Sequence, residues 1–532
     1  MRRHARAVLT IALFLFSSLV WADVKLPAII SDNMALQQNM CVPIWGWADP
    51  GEAVTVCICN QTKSVCTCPD GKWIVKLSPM AAGGPHEMTV SGSNTIIIKN
   101  VLIGEVWVCS GQSNMEWVVN NSLYANAEKE AAKHPSIRLF TVKKNVQDNP
   151  VSDCTGKWVE CSPASVGDFS AVGYFFGRTL YYQLQVPIGL IHTSWGGTPA
   201  EAWTTRATLE ADPDLKPIMD RYAKAKADDT QFNWDKKMAE YKRAQDTYTH
   251  DTLVKWNAAV EKAKAENKAP PPRPNGPRAP QHALNANSPA SLYNGMIAPI
   301  VPYGIAGATW YQGESNAGHA MQYRKLLPAM IRDWRNAWKQ GDFPFMIVQL
   351  ANYNNGRPRP KDPEDSTWAE LREAQTLTAL HTTNTGQGLA IDIGEAGDIH
   401  PKNKQDVGLR LALSALKIAY HRNIVYSGPM YSSMSNEGNA IRLHFTHTDG
   451  GLVARDGELK GFSIAGDDKK FVWAKARMEG DSIVVSSDIV AKPVAVRYAW
   501  ADNPECNLYN KAGLPAVPFR TDDWKGITDG KN

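Results

Sequence analysis

The sequence predicts an α/β core built on a largely parallel sheet and flanked at either end by a β-sandwich. Three observations carry that prediction. Between about residues 101 and 426, apolar strand candidates alternate with helical stretches, the pattern of a layered α/β fold. Each of these strands runs into a polar or glycine-rich loop, and in open α/β sheets the loops at the carboxyl ends of the strands surround the ligand. On both sides of the core, at 23–100 and 427–523, short alternating runs are separated by turn residues, as in antiparallel sandwiches.

A chain of 532 residues has room for three or four domains at roughly 150 residues each. Its net charge of +4 is too small for the basic face of a nucleic-acid protein. Hydrophobic residues make up 43% of it and Trp numbers 18, which excludes a disordered chain.

Residues 1–22 read as a secretory signal. Arg2, Arg3 and Arg6 form a basic start, an apolar run spans Ala7 to Phe16, and Ala22 offers a small residue for cleavage. The competing reading is a membrane anchor, but the run is shorter than the roughly 20 residues a spanning helix needs. A secreted or periplasmic protein is expected, with no membrane association once the signal is removed. In that oxidising setting the nine cysteines are free to pair. Cys57, Cys59, Cys66 and Cys68 are spaced for disulfides or buried thiols rather than for zinc, since the intervals are Cys-x-Cys and no His lies nearby.

In the first sandwich, strands are expected at 42–46, 53–56, 73–77 and 95–98, with turns at Asp49-Pro50-Gly51 and Pro69-Asp70-Gly71. In the core, five strand candidates lead to five loops. Val106–Cys109 leads to Ser113, Ile188–Ile191 to Trp195-Gly196-Gly197, and Ile305–Trp310 to Gln312-Gly313-Glu314-Ser315-Asn316. Phe345–Leu350 leads to Asn352 and Asn354, and Leu389–Ile393 to Asp398-Ile399-His400. Residues 206–283 read as an insertion: Trp234, Met238, Tyr241, Tyr248, Trp256 and Val260 recur at helical spacing, and Pro270 to Pro274 then stop the helix. A solvated helical hairpin is expected there, with a lid as the alternative. The second sandwich follows from alternating runs at 440–445, 482–485 and 494–498.

Ser113 sits in a small polar turn at a strand end, the placement a nucleophilic serine needs once a base takes its proton. His400 is the best candidate base because its loop belongs to the same rim, with His192 in reserve. Asp398 is the local candidate for fixing the imidazole tautomer, and Asp392 and Glu395 are rivals. The Ser113 N–H and the N–H of Gly196 or Gly197 suit a developing oxyanion, with a side-chain amide from Gln312 or Asn316 as a third donor. Trp117, Trp195, Trp203 and Trp310 flank these loops, either to stack on sugar or to fill the core.

Four ordered blocks, GEVWVCSGQSNMEW, HTSWGGTPAEAW, TWYQGESNA and DIHPKNKQDVGLRLA, resemble the sialate O-acetylesterase family, a branch of the SGNH hydrolase superfamily. The resemblance implies a three-layer α/β hydrolase core and removal of an O-acetyl ester from a sugar through an acetyl-serine intermediate, with no metal or other cofactor. It maps the nucleophile onto Ser113 and the base onto His400, with Asp398 beside it. Oxyanion or substrate-binding roles fall to Gly196, Gly197, Gln112 and the Gln312–Asn316 block, including Glu314 and Asn316. The implied partner is an O-acetylated glycan or sialic acid, with 9-O-acetylated sialic acids expected first and acetylated xylan or another plant glycan as the alternative. Two departures stand out. The superfamily's last block has its Asp three residues before the His, whereas position 397 is Gly and the acid is Asp398; and the third block reads Gly-Glu-Ser-Asn rather than Gly-x-Asn-Asp. Two competing readings are a non-catalytic glycan-binding protein and a secreted carboxylesterase or lipase. The second lacks a long apolar stretch near the motifs.

Overall fold

The computed structural model describes residues 23–531; the expected signal segment lies outside them. The fold is mixed α/β, with one large mixed sheet and further antiparallel sheets. Its backbone is the strand Thr95–Gly111. Its first half pairs antiparallel with the strand Gly83–Ser91 of the N-terminal region. Its second half pairs parallel with Ile188–Ser194 on one side and Gly307–Tyr311 on the other. The sequence suggested two separate strands here, at 95–98 and 106–109. The chain stays extended between them because Gly104 lets the Pro187 carbonyl approach; a Cβ at that position would lie 1.9 Å from that oxygen. The expected boundary at residue 100 therefore falls within a strand.

The parallel part continues outward through Phe345–Gln349 and Thr385–Leu389 on one side and His134–Thr141 on the other. Trp158–Cys161 closes that edge antiparallel. Thr95–Gly111 has its sequence-successive parallel neighbours on opposite sides, so its carboxyl end is a topological switch point, the place where open α/β sheets bind ligands. Trp107 packs on Phe176 of the helix Ala171–Leu184, with ring centroids 5.0 Å apart. Trp310 packs on Trp334 of the helix Ala320–Trp338 at 5.9 Å. Trp310 is paired with Ser110, and Ser110 and Trp107 point to opposite faces of the pleat. Helices therefore cover both faces.

The fifth core strand differs from expectation. It is Thr385–Leu389, not Leu389–Ile393. Its own sequence, TGQGL, carries little apolar signal because helix Lys404–Ile418 presses on it; a Cβ on Gly386 would lie 2.2 Å from Ser414 Oγ. Leu389 and Ile391 are apolar for another reason, since they join the core of the C-terminal region. The strands His134–Thr141 and Trp158–Cys161 had no expectation at all.

In the insertion the helices Gln231–Thr247 and Leu253–Ala265 join through a π-turn at Tyr248–Thr252 into one helical run rather than a hairpin. The proline-rich segment returns along its apolar stripe. Tyr248 Oη donates to the Pro274 carbonyl at 2.8 Å, Trp256 Nε1 to that of Pro271 at 2.9 Å, and Trp234 stacks on His282 at 3.7 Å. The cysteines are all free. The register of the hairpin Ala53–Ile58 with Gln61–Cys66 sets Cys57 opposite Thr62 and Cys66 opposite Ala53, so no two cysteines face each other across it. Among the described residues no helix is long and apolar enough to cross a membrane.

The C-terminal region holds two four-stranded antiparallel sheets around a separate core that includes Ile441, Phe462, Ile483 and Val496. Arg372 fastens it to the α/β region. Its guanidinium is fully buried and donates to the carbonyls of Leu350, Ala351, Ala501 and Asp502 at 2.7–2.9 Å. Removing it takes the side-chain donor from the Leu350 and Ala501 carbonyls, while Ala351 keeps Trp368 Nε1 at 2.9 Å and Asp502 keeps the Tyr353 N–H at 3.1 Å, and a buried acceptor is costly to leave unpaired. Arg372→Met is expected to lower unfolding stability by about 3 kcal/mol or more, read by denaturant titration; a loss under about 1 kcal/mol would contradict the clamp.

Candidate active site

Gly111 ends the central strand with φ +141, and a Cβ there would lie 2.1 Å from the Tyr311 carbonyl. Only glycine fits so close to a neighbouring backbone. The chain then turns into the short helix Ser113–Glu116. That turn is tied to the next helix: Ser170, which caps Ala171–Leu184, donates its hydroxyl to the Met115 carbonyl at 2.6 Å, and Ala171 N–H donates to Trp117 O at 2.8 Å.

Ser113 and His400 meet. Ser113 Oγ lies 2.8 Å from His400 Nε2, within the reach a nucleophile and its base require. Trp117 stacks on the imidazole at 5.2 Å with planes 14° apart, which restricts the ring's tilt. Asp398 Oδ1 accepts the His400 backbone N–H at 2.9 Å and lies 3.7 Å from His400 Nδ1. The carboxylate thus shapes its own loop and acts on the ring by charge, beyond hydrogen-bond distance. Burial, and next the charge of Lys404, push the His400 imidazole below its ordinary value, while Asp398 pulls it back up.

The rival groups have other work. Asp392 takes two bonds from Arg410, at 2.6 and 2.9 Å, and one from Tyr509 at 3.0 Å. Glu395 accepts the Lys402 N–H at 3.0 Å. His192 is buried and bonded to Ser194 Oγ at 2.5 Å, with burial driving it down to about 4. It does not serve Ser113.

Gly196 packs against Ser113: a Cβ on it would lie 3.1 Å from Ser113 Cβ. Its N–H donates to Glu116 Oε2 at 2.6 Å, and Glu116 Oε1 pairs with Lys144 at 2.5 Å. Gly197 is exposed at φ +75 with open space around it. Gln312 is fully buried and both hydrogens of its amide are engaged, by Thr198 O at 3.2 Å and Asn316 Oδ1 at 2.6 Å. Asn316 Nδ2 donates to Glu201 Oε2 at 2.9 Å. Gln112 Oε1 accepts the Ser315 N–H at 3.4 Å. Glu314 Oε1 accepts from Asn114 Nδ2 at 2.6 Å, and burial raises that carboxyl. The first, second, third and fifth loops therefore surround Ser113. The fourth backs them: Asn352 Oδ1 accepts the Gly394 N–H at 2.8 Å behind the His400 loop.

Of the four tryptophans, Trp203 and Trp310 are fully buried core, in edge contact at 6.0 Å. Trp117 and Trp195 are half-buried beside the site. Sequence reasoning missed Asn114, Glu116 and Lys404. All three stood inside quoted blocks, but nothing in a sequence marks a lysine as buried. Among the described residues no cluster of His, Cys, Asp and Glu is placed to hold a metal ion.

The model of a carbohydrate esterase family, sialic acid-specific acetylesterase, matches residues 103–264 and 283–417. Its gap falls on the returning proline-rich segment. The sialate O-acetylesterase of Mus musculus is 30% identical over 93% of this chain and 94% of its own length. That of Homo sapiens is 29% identical over 94% of each. The crystal structure of a carbohydrate acetylesterase from Xanthomonas citri superposes with a TM-score of 0.77 at 35% identity, over 94% of this chain and 100% of that one. The chain belongs to the sialic acid-specific acetylesterase family of carbohydrate esterases, and it is an esterase hydrolase.

Proposed function

We propose that the chain is a serine carbohydrate esterase of SGNH type that removes O-acetyl groups from sugars, 9-O-acetylated sialic acids first among them, through an acetyl-serine intermediate. The observation that carries the reading is the 2.8 Å contact between Ser113 Oγ and His400 Nε2, across 287 positions of sequence. The substrate class is supported by the family and by relatives named sialate O-acetylesterase and carbohydrate acetylesterase.

His400 Nε2 takes the hydroxyl proton as Ser113 Oγ attacks the acetyl carbonyl carbon, and the carbonyl electron pair moves onto oxygen. The Ser113 N–H, first in its short helix, has no intrahelical acceptor, and it is assigned to the oxyanion with the Gly197 N–H. Gly196 joins them when substrate displaces Glu116. Gln312 is reassigned from donor to brace because its amide is fully engaged, and Asn316 keeps one amide hydrogen for the oxyanion. Gln112 and Glu314 hold the third loop and Asn114 rather than the substrate. As the intermediate collapses, the bond between the acetyl carbon and the sugar oxygen breaks and His400 returns its proton to the sugar oxygen. Water then attacks the acetyl-serine carbonyl as the same imidazole takes its proton, the bond from the acetyl carbon to Ser113 Oγ breaks, His400 returns the proton to Ser113 Oγ, and acetate leaves. Asp398 stabilises the imidazolium by charge.

Acetate release from O-acetylated sialic acid and from acetylated xylan, measured side by side, tests the reading. Release from the sialic acid, with kcat lowered at least about 10⁴-fold in Ser113→Ala, is the expected result. Release from xylan alone moves the substrate to plant glycans, and undiminished release by Ser113→Ala contradicts the serine mechanism. Because neutral His400 is the active form and its pKa is depressed, activity is retained as pH falls and lost only below the ordinary imidazole value of about 6.5. A kcat/KM profile with its acidic midpoint above that value would contradict this. His400→Ala is expected to cost about 10²–10⁴-fold and Asp398→Asn less, since the acid lies 3.7 Å from the ring nitrogen; the reverse order in steady-state kinetics would give Asp398 a larger part.

A further inference from the structure

Lys404 has no accessible surface, and it opens the helix Lys404–Ile418. Both features are unfavourable: burial strips an ammonium of water, and a cation at a helix N-terminus opposes the macrodipole. Proteins break such rules mainly at functional sites. Lys404 Nζ donates to Asn114 Oδ1 at 2.5 Å and lies over the rings of Tyr311 at 5.4 Å and Trp117 at 5.8 Å. Trp117 is the same ring that stacks on His400.

The amide of Asn114 is the other half of the arrangement. Its Nδ2 donates to Glu314 Oε1 at 2.6 Å and to the Ile399 carbonyl at 3.0 Å. Asn114 directly follows Ser113, and Ile399 directly precedes His400. One side chain thus rivets the serine turn to the histidine loop. An asparagine amide fits its site in either of two flipped orientations unless its neighbours choose. A cation that donates only, facing a carboxylate that accepts only, makes that choice.

We propose that Lys404 is a positioning residue for the esterase chemistry: it orients the Asn114 amide that locks Ser113 against the His400 loop, and it holds a positive charge beside the imidazole. This rests on the reading of Ser113 and His400 as nucleophile and base. The ionisable groups acting on Lys404 are Glu314 from the third loop and Asp398 and Glu395 from the fifth, and those acting on His400 are Lys404 and Asp398. Burial brings Lys404 down to about 7, with Glu314 as the first opposing influence. On the acidic limb of the reaction Lys404 is therefore charged. Its charge repels a proton from His400, so the base stays neutral to lower pH.

The test uses the full chain and the rate at which a fluorophosphonate labels Ser113, located by peptide mass, as a function of pH, alongside kcat and KM for an acetyl ester. In Lys404→Met the acidic midpoint is expected to rise by on the order of one pH unit, with kcat reduced more than KM is altered. Lys404→Arg keeps the charge and is expected to hold the midpoint while kcat falls. Asn114→Ala is expected to lower kcat without raising the midpoint. Should Lys404→Met fail to fold, Lys404→Gln, which retains a donor for Asn114, carries the same comparison. Labelling of Ser113 with an unmoved midpoint in the neutral variants overturns the role of Lys404 alone. No labelling of Ser113 in the wild-type chain overturns the serine reading and this proposal with it.

Discussion

The strand Thr95–Gly111 belongs to two regions at once, and most of the molecule is arranged by that fact. Its first half completes the N-terminal sheet and its second half is the centre of the parallel one. Such a strand transmits its register, because a slip of one residue would turn every side chain to the wrong face. Glu105, between the two halves, fixes that register. Its carboxylate accepts from Gln37 at 3.0 Å, Gln38 at 2.5 Å and the Tyr420 hydroxyl at 3.0 Å. Those donors come from the N-terminal region and from the segment after the last core helix. The position of Ser113, just beyond the strand's end, is therefore set by contacts on both sides of the sheet.

Charge is unusually concentrated around that end. On one side Glu116 holds the Gly196 amide and pairs with Lys144, which lies 5.1 Å over the Trp195 ring. On the other, Lys404, Asn114 and Glu314 form a chain in which a buried cation and a buried carboxyl are joined by one amide. Burial penalises both charges, and neither contact alone repays that. What the chain provides is geometry. It links three loops that meet nowhere else in sequence. Asp398 lies 3.7 Å from the His400 ring nitrogen and acts on it by charge, while Trp117 stacks on the ring and the Asn114 clasp holds its loop.

Much of this was legible beforehand, and the failures have physical causes. The strands at 53–58 and 72–77 alternate because one face is buried and the other more exposed, and that at 42–47 does so only in its second half. Ser113 and the two glycines stood out because their loops follow apolar strands, and His400 because its loop follows the apolar run Leu389–Ile393. The strand Thr385–Leu389 did not, since glycines that admit a helix carry no hydrophobic pattern. Leu389 and Ile391 misled for the opposite reason: they serve a different core. Gln312 resembled a donor aimed at substrate, yet its surroundings consume both hydrogens, a matter of tertiary contact that no single sequence reveals. The helical stripe of the insertion was real, but the partner that covers it, the proline-rich return, is too polar in composition to announce itself as packing.

The account turns on whether Ser113 carries the acetyl group. Rapid quenching during turnover of an O-acetylated sugar, followed by mass analysis of the peptides, measures that directly. One acetyl group on the peptide containing Ser113, absent from resting enzyme and from Ser113→Ala, is the predicted result. Steady acetate release with no acetyl on that peptide, or with acetyl on another residue, would contradict the account.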